Sequence, residues 1–213
     1  IPIVKNKSAF FISGRRTYFD LLLYPFQNQN NYESFNFYDV NIKYLQKFKN
    51  FDLTVLLYSD RDKHYDVFKP AENKEIKDEL NLYKKNRIAA AQIKSNIGNV
   101  KNDLSLAYVK YSLNILDLHE RPDSLEKNSS DFSSSIEDFS VSDKASFQVT
   151  HNLMNVTGIA YTIHFFHPAA FNLSDYRLDT TISRVNSSNL RELNLFSEFS
   201  YTIKGRNELR CGF

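Results

Sequence analysis

Val156-Thr157-Gly158-Ile159-Ala160-Tyr161-Thr162-Ile163-His164-Phe165-Phe166 carries the pattern that decides the fold. Its odd positions Ile159, Tyr161, Ile163 and Phe165 are large and apolar, and the positions between them are mostly small or polar. Successive side chains of a strand leave opposite faces, so the stretch predicts a strand with one apolar face. The same period of two flanks it on both sides. Phe139, Val141, Ala145 and Phe147 alternate with Ser140, Ser142, Lys144 and Ser146, and Leu193, Leu195, Phe199 and Tyr201 oppose Glu192, Asn194, Glu198 and Thr202. Towards the N-terminus, Tyr38, Val40, Ile42 and Tyr44 oppose Phe37, Asp39, Asn41 and Lys43, while Phe51, Leu53, Val55 and Leu57 alternate with Asp52 and Thr54. Ala89, Ala91 and Ile93 stand opposite Gln92 and Lys94, residues 104–116 are apolar and Tyr-rich, and residues 8–23 alternate raggedly. Strands are therefore expected at 8–23, 35–48, 51–60, 86–97, 104–118, 136–150, 155–167 and 189–203, with a ninth starting at 208–213.

The links between these strands alternate in length. Short ones fall at 49–50, 98–103, 151–155 and 204–207, and long polar ones at 24–34, 61–85, 119–135 and 168–188. A soluble sandwich has no reason to gather every long loop at one end. An outer-membrane barrel has one, because its periplasmic turns are short and its extracellular loops long. A tilted strand crosses a bilayer in about 9–11 residues, whereas strands of soluble sheets usually run to about 5–6. The expected fold is all-β: an antiparallel up-and-down meander of about eight long strands, part of a transmembrane outer-membrane β-barrel. Val40, Ile42, Leu53, Val55, Ile159 and Ile163 are expected to face lipid.

Composition agrees. The 213 residues include 18 Phe and 13 Tyr but no Trp, with 5 Gly and 5 Pro, a bias towards strand formers. Mean hydropathy is −0.46, too polar for a helical membrane protein but not for barrel strands with a polar interior face. No run of eighteen apolar residues exists, which excludes a transmembrane helix in the sequence. A formal charge of +2 with acids and bases interspersed gives no case for nucleic acid. Cys211 is the single cysteine, so no internal disulfide is possible. The chain opens at Ile1-Pro2-Ile3-Val4 without methionine or leader features, and reads as a mature protein or an excerpt.

The run Ser13-Gly14-Arg15-Arg16-Thr17-Tyr18-Phe19-Asp20, preceded by Ile1-Pro2-Ile3-Val4-Lys5-Asn6-Lys7-Ser8 and followed by Pro25-Phe26, resembles the first barrel strand of TonB-dependent outer-membrane receptors of the Bacteroidetes type. Phe37-Tyr38-Asp39-Val40-Asn41 is similar to the family's second strand, and Ser59-Asp60-Arg61-Asp62 to the end of its third. Tyr108-Val109-Lys110-Tyr111 and Asn194-Leu195-Phe196-Ser197-Glu198 also sit where family strands lie. The resemblance implies TonB-dependent uptake of a scarce nutrient across the bacterial outer membrane. Its implied partners are outer-membrane lipid, a plug domain inside the barrel and the TonB complex. Residues 1–213 are then expected to be a partial barrel domain, the N-terminal part, with the plug domain absent. The alternative is a small closed barrel acting as a passive pore, anchor or adhesin, for which 8–23 would pair with 189–203.

Arg15 and Arg16 are neighbours in a strand and point to opposite faces, so they cannot form one clamp. One is expected to pair with interior acids and the other to sit near the membrane interface, although a plug contact is the functional alternative. His164 and His167 form H-x-x-H, with His151 across a short turn. Residues three apart on a strand face opposite sides, which is poor geometry for a metal. Asp60, Asp62 and Asp66 lack the glycine and terminal Glu of an EF-hand and are expected in a solvated loop. Within the loop 61–85, Glu75–Lys85 is expected to form a short helix, either part of a substrate lid or simply solvated. No nucleophile elbow, phosphate-cradling glycine loop or zincin motif occurs, so no catalytic, cofactor-binding or metal residue is assigned. A hydrolase on this scaffold would need Ser and His on adjacent strands, outward and at one level. His164 is read as the only histidine within a strand.

Overall fold

Period two persists well past the apolar stretches. In the computed structural model, which describes residues 2–26, 31–69, 76–121, 126–174, 186–203 and 207–212, it builds ten strands. These are β1 (Pro2–Val4), β2 (Ser8–Arg16), β3 (Asn31–Lys47), β4 (Phe51–Phe68), β5 (Lys77–Ile97), β6 (Val100–Arg121), β7 (Glu126–Thr150), β8 (Leu153–Ser174), β9 (Ser188–Ile203) and β10 (Asn207–Gly212). They pair antiparallel in chain order in one sheet. This is the expected up-and-down meander, similar to the sheet of an outer-membrane barrel. Among the described residues β2 is flanked by β1 and β3, and β9 by β8 and β10. The pairing of 8–23 with 189–203 that a small closed barrel needs is not formed there.

Several boundaries differ from the sequence reading. The strand expected at 8–23 ends at Arg16, and a helix α1 (Phe19–Leu23) and a 3-10 turn (Tyr24–Phe26) follow. The ragged alternation has this cause: Phe19, Leu21 and Leu22 belong to a helical turn. Where they are described, the segments read as long loops are largely strand. Residues 61–68 extend β4, 77–85 begin β5, 126–135 begin β7 and 168–174 end β8. No helix forms over Lys77–Lys85, and Glu75 lies outside the described residues.

The extensions at 61–68, 77–85 and 126–135 were hidden because charged and polar residues stand on both of their faces, so hydrophobic alternation fades while pairing continues. Cross-strand chemistry holds the register instead. Asp62 stands opposite Lys84 and Lys63 opposite Tyr83, with the Lys63 ammonium 5.4 Å from that ring. At the other end the connections stay short. Ile97 pairs with Val100 across a two-residue turn in which Gly98 takes φ +59°, the left-handed backbone such hairpins demand.

The sheet is one layer with no core. Val67 is the only apolar residue buried among the described ones. Tracing the register across the strands shows where the apolar surface lies. One row runs Phe10, Tyr44, Val55, Ala91, Leu106, Val141, Tyr161, Leu193, apolar or aromatic on every strand from β2 to β9. The next row, towards the long connections, runs Ile12, Ile42, Leu57, Ala89, Tyr108, Phe139, Ile163. Val40, Ile42, Leu53, Val55, Ile159 and Ile163 all share this face, as expected. No second sheet or helix covers it among the described residues, and Leu193 and Leu195 are 59% and 64% exposed.

Candidate functional site

The opposite face sets charged and polar side chains among apolar ones such as Leu56, Ile88 and Val109, and many of its polar groups are bound to one another across strands. Arg15 on β2 pairs through Nε with Asp39 on β3, and Asp60 on β4 lies directly opposite Asp39. Two like charges in direct register destabilise a sheet unless donors surround them. The donors are present. Tyr58 donates its hydroxyl to Asp60 at 3.0 Å, and the backbone and side-chain nitrogens of Asn86 reach the same carboxylate at 2.8 and 3.0 Å. Arg15, Asp39, Tyr58 and Asp60, with Phe35, Phe37 and Asp62, line a cavity of about 310 Å³. The Arg15 guanidinium also lies 5.4 Å from the Phe37 ring.

A second network crosses β7, β8 and β9. His164 is one-fifth exposed and lies between Asp138, at 2.8 Å from Nδ1, and Glu192, at 3.5 Å from Nε2. Its ring stacks on Phe166 at 5.9 Å. Nearer the short turns, Asp103 accepts from Gln92 at 2.8 Å and faces Lys94 at 3.9 Å. The polar face is thus tied laterally by ion pairs and hydrogen bonds.

The singled-out residues fall as follows. Arg15 and Arg16 do leave opposite faces, and Arg16 binds Asp20 of α1 at 3.1 Å on the other side. Asp60, Asp62 and Asp66 are not in a solvated loop but in β4, where all three point to the polar face. His164 and His167 lie in one strand on opposite faces, and His151 sits in the turn at the far end of β8. His164 is not the only histidine in a strand, since His64, His119 and His167 are too. The register places Ser135 opposite His167 on the apolar side, the arrangement a hydrolase would need. No hydrogen bond joins those two side chains, and it is the neighbouring Ser134 that donates to the His167 carbonyl, at 3.3 Å. Among the described residues no three His, Cys, Asp or Glu side chains converge on one point.

Sequence reading missed the Asp39–Asp60–Asn86 row because its members lie 21 and 26 residues apart and only the register joins them. It also missed a concentration of cations on the apolar side. Just beyond the two apolar rows, Arg87 stands opposite Lys110 and Arg61 opposite Lys85.

No family model matches the chain, and no curated protein does. Among solved structures, the chain is similar to the ferric yersiniabactin uptake receptor FyuA from Yersinia pestis, with a TM-score of 0.59 and 8% sequence identity. The match covers 82% of this chain and 27% of that receptor, so the chain spans about a quarter of the receptor's length. At that identity the likeness is one of fold: the chain folds as a stretch of a receptor's barrel sheet.

Proposed function

We propose that this chain forms part of the wall of a TonB-dependent outer-membrane receptor that takes up a scarce nutrient. The observation that carries the proposal is a pair of adjacent apolar rows, one unbroken from β2 to β9 and the other from β2 to β8, exposed and uncovered in a single-layer sheet. Exposed apolar surface on this scale is not sustained in water. Lipid covers it at no such cost, and each strand from β2 to β9 is paired on both sides, as a bilayer favours. The polar face then looks into the barrel, where Arg15, Asp39, Asp60 and the His164 network meet an interior domain or a ligand. The resemblance of Ser13–Asp20 to the family's first strand and the likeness in fold to an uptake receptor support the same reading. The role is transport and not catalysis.

The test is residue-by-residue solvent access. In a Cys211→Ser background, single cysteines at 138 to 143 carry nitroxide labels in reconstituted vesicles. Labels at 139, 141 and 143 should collide with oxygen, which concentrates in lipid, and those at 138, 140 and 142 with a water-soluble nickel chelate. A series in which both parities see the nickel chelate equally would defeat the membrane reading.

A further inference from the structure

We propose that the face opposite the two apolar rows binds, near the long connections, an extended peptide rich in lysine or arginine. This names the class of nutrient and rests on the receptor reading above. Three features of that wall fit one another: a column of carboxylates with few cations to answer them, apolar walls on both sides of it, and a spacing that a peptide chain repeats.

The column runs along β4. Asp60, Asp62 and Asp66 leave the same face of the strand, with His64 between the last two. On β3, Asp39 stands opposite Asp60 and Glu33 opposite Asp66. Arg15 answers Asp39, and His64 lies 3.4 Å from Glu33. Asp60 accepts from the neutral donors Tyr58 and Asn86. Asp62 and Asp66 make no hydrogen bond or ion pair among the described residues, although Lys84 stands directly opposite Asp62. Across β2 to β5 at these levels the carboxylates therefore outnumber Arg15, Lys84 and His64, and acceptors are left for donors from outside the chain.

The walls are the second feature. Phe35 and Phe37 flank the column on β3, their ring centroids 6.2 Å apart. On its other side Leu80 and Leu82 of β5, then Leu113 and Ile115 of β6, share the same face. One row reads Phe35, His64, Leu82, Ile115, Phe132 from β3 to β7. Lysine and arginine carry an apolar stem below a charged head, so their stems cover apolar surface while their heads reach acceptors. Arg15 shows this arrangement within the chain itself. Its guanidinium is bonded to Asp39 and lies 5.4 Å from the Phe37 ring, where the ring face favours a cation. The cavity of about 310 Å³ beside it, bounded by Phe35, Asp60 and Asp62, has room for a second such side chain.

The third feature is the spacing. Same-face residues of a strand repeat about every 6.6 Å, so Asp62 lies about that far from Asp60 along β4, and Asp66 about 13 Å further. Among the described residues no three acidic, histidine or cysteine side chains converge on one point, so a single metal ion does not satisfy the column. An extended peptide repeats its own same-face side chains at the interval of β4. Laid along that strand, basic residues at alternate positions meet one carboxylate after another. A linear polyamine carries comparable charge but has no side chains to cover the phenylalanine and leucine walls.

The experiment follows the fluorescence anisotropy of a labelled peptide, Lys-Val-Lys-Val-Lys-Val-Lys, titrated with the full chain in zwitterionic detergent micelles. Part-exposed ion pairs contribute up to about fivefold each in affinity, so Asp62→Asn/Asp66→Asn should bind about 10- to 25-fold less tightly. Neither aspartate has a partner to lose, and an unchanged melting temperature checks that the double variant is folded. Asp131→Asn, the same change on the opposite face of β7, should bind as the parent does. Leu82→Thr/Ile115→Thr should weaken the peptide and leave the affinity for spermine unchanged. Equal affinity of the parent and Asp62→Asn/Asp66→Asn, or equal affinity of the parent for the glutamate counterpart of the peptide, would overturn the inference. Displacement by spermine at matched charge, with the wall variant binding the peptide as the parent does, would overturn it in favour of a polyamine site. Each of these results leaves the membrane reading intact where labels at 139 and 141 still collide with oxygen. If those labels meet the nickel chelate instead, the receptor reading fails and this inference falls with it.

Discussion

Val141→Arg separates a lipid-facing sheet from a water-facing one. Val141 occupies the row that is apolar or aromatic on every strand from β2 to β9, between Leu106 and Tyr161. The charged level on β7 is marked by Glu137, two rows away on the same face. Four residues at 3.3 Å each place Val141 about 13 Å along the strand from that level, or about 10 Å in depth at a tilt near 40°. An arginine there is too deep for its stem to escape easily. Barrel measurements put the cost of arginine at the midplane at about 2–4 kcal/mol, falling to about 0–1 near the interface. Ser140→Arg, one residue away on the polar face, should change stability by no more than about 0.5 kcal/mol. The assay is equilibrium urea unfolding from phospholipid vesicles, followed by circular dichroism, with midpoints compared at constant slope. A gap of about 2 kcal/mol or more between the two variants is expected. Equal midpoints would mean that both faces meet the same solvent, and the apolar rows would need another partner.

Gly158 lies where a Cβ would come within 2.5 Å of the Phe196 ring and 2.9 Å of the Asp143 carbonyl oxygen. Gly158→Ala should cost about 1–3 kcal/mol; adding Phe196→Ala should recover part of it in a double-mutant cycle, leaving the share due to the backbone oxygen. Asp60→Ala removes the acceptor for Tyr58 and Asn86, and should lower the urea midpoint by the equivalent of about 1–3 kcal/mol. Asp60→Asn, which keeps an oxygen acceptor and removes the like charge opposite Asp39, should cost less. His119, near the long-connection end of β6, has its pKa raised above the ordinary 6.5 by its hydrogen bond to Asp78 at 2.7 Å, with Asp117 at 3.3 Å adding to it. A raised histidine pKa means that the protonated ring favours the paired strands, so its contribution is full below the unfolded value and is lost as pH rises through the folded one. Amide exchange near Asp78 and Leu118, corrected for intrinsic rate, should quicken modestly across that rise, and His119→Gln should remove the dependence. The effect stays small because the ring is half exposed.

How much could be read in advance depended on where hydrophobic contrast exists. At Ile159–Phe165 one face is apolar and the other small or polar, so the strand and its facing are plain from the residues alone. At Arg61–Phe68 and Lys77–Lys85 charged residues stand on both faces, and they look like a solvated loop. Opposed partners such as Lys63 and Tyr83 support this register, and such partners become visible only when the pairing is known. The same limit hid the networks. Asp39, Asp60 and Asn86 are unremarkable as separate residues, as are Arg61, Lys85, Arg87 and Lys110. Each set becomes a cluster through the side-by-side alignment of strands that are distant in the chain. The opposite facing of Arg15 and Arg16, and of His164 and His167, needed no register at all, because it follows from strand parity.

On the proposed membrane reading, two rulers place the bilayer boundary at the same height. From the hairpin residue Ile97 to Arg87 the strand rises about 33 Å at 3.3 Å per residue, which a tilt near 40° reduces to about 25 Å. That is the height of the apolar band of an outer-membrane barrel. Independently of length, Arg87 and Lys110 mark the level at which the apolar rows give way to charge between β5 and β6. Beyond it β5 continues to Lys77 and β6 to Arg121, still fully paired, so the sheet projects past the boundary by a comparable distance. Projection with charged residues on both faces explains why those strands look like loops in the sequence. It also makes the charged level a fixed surface: strands paired on both sides of it hold the cations, where a mobile loop would let them part to relieve their repulsion.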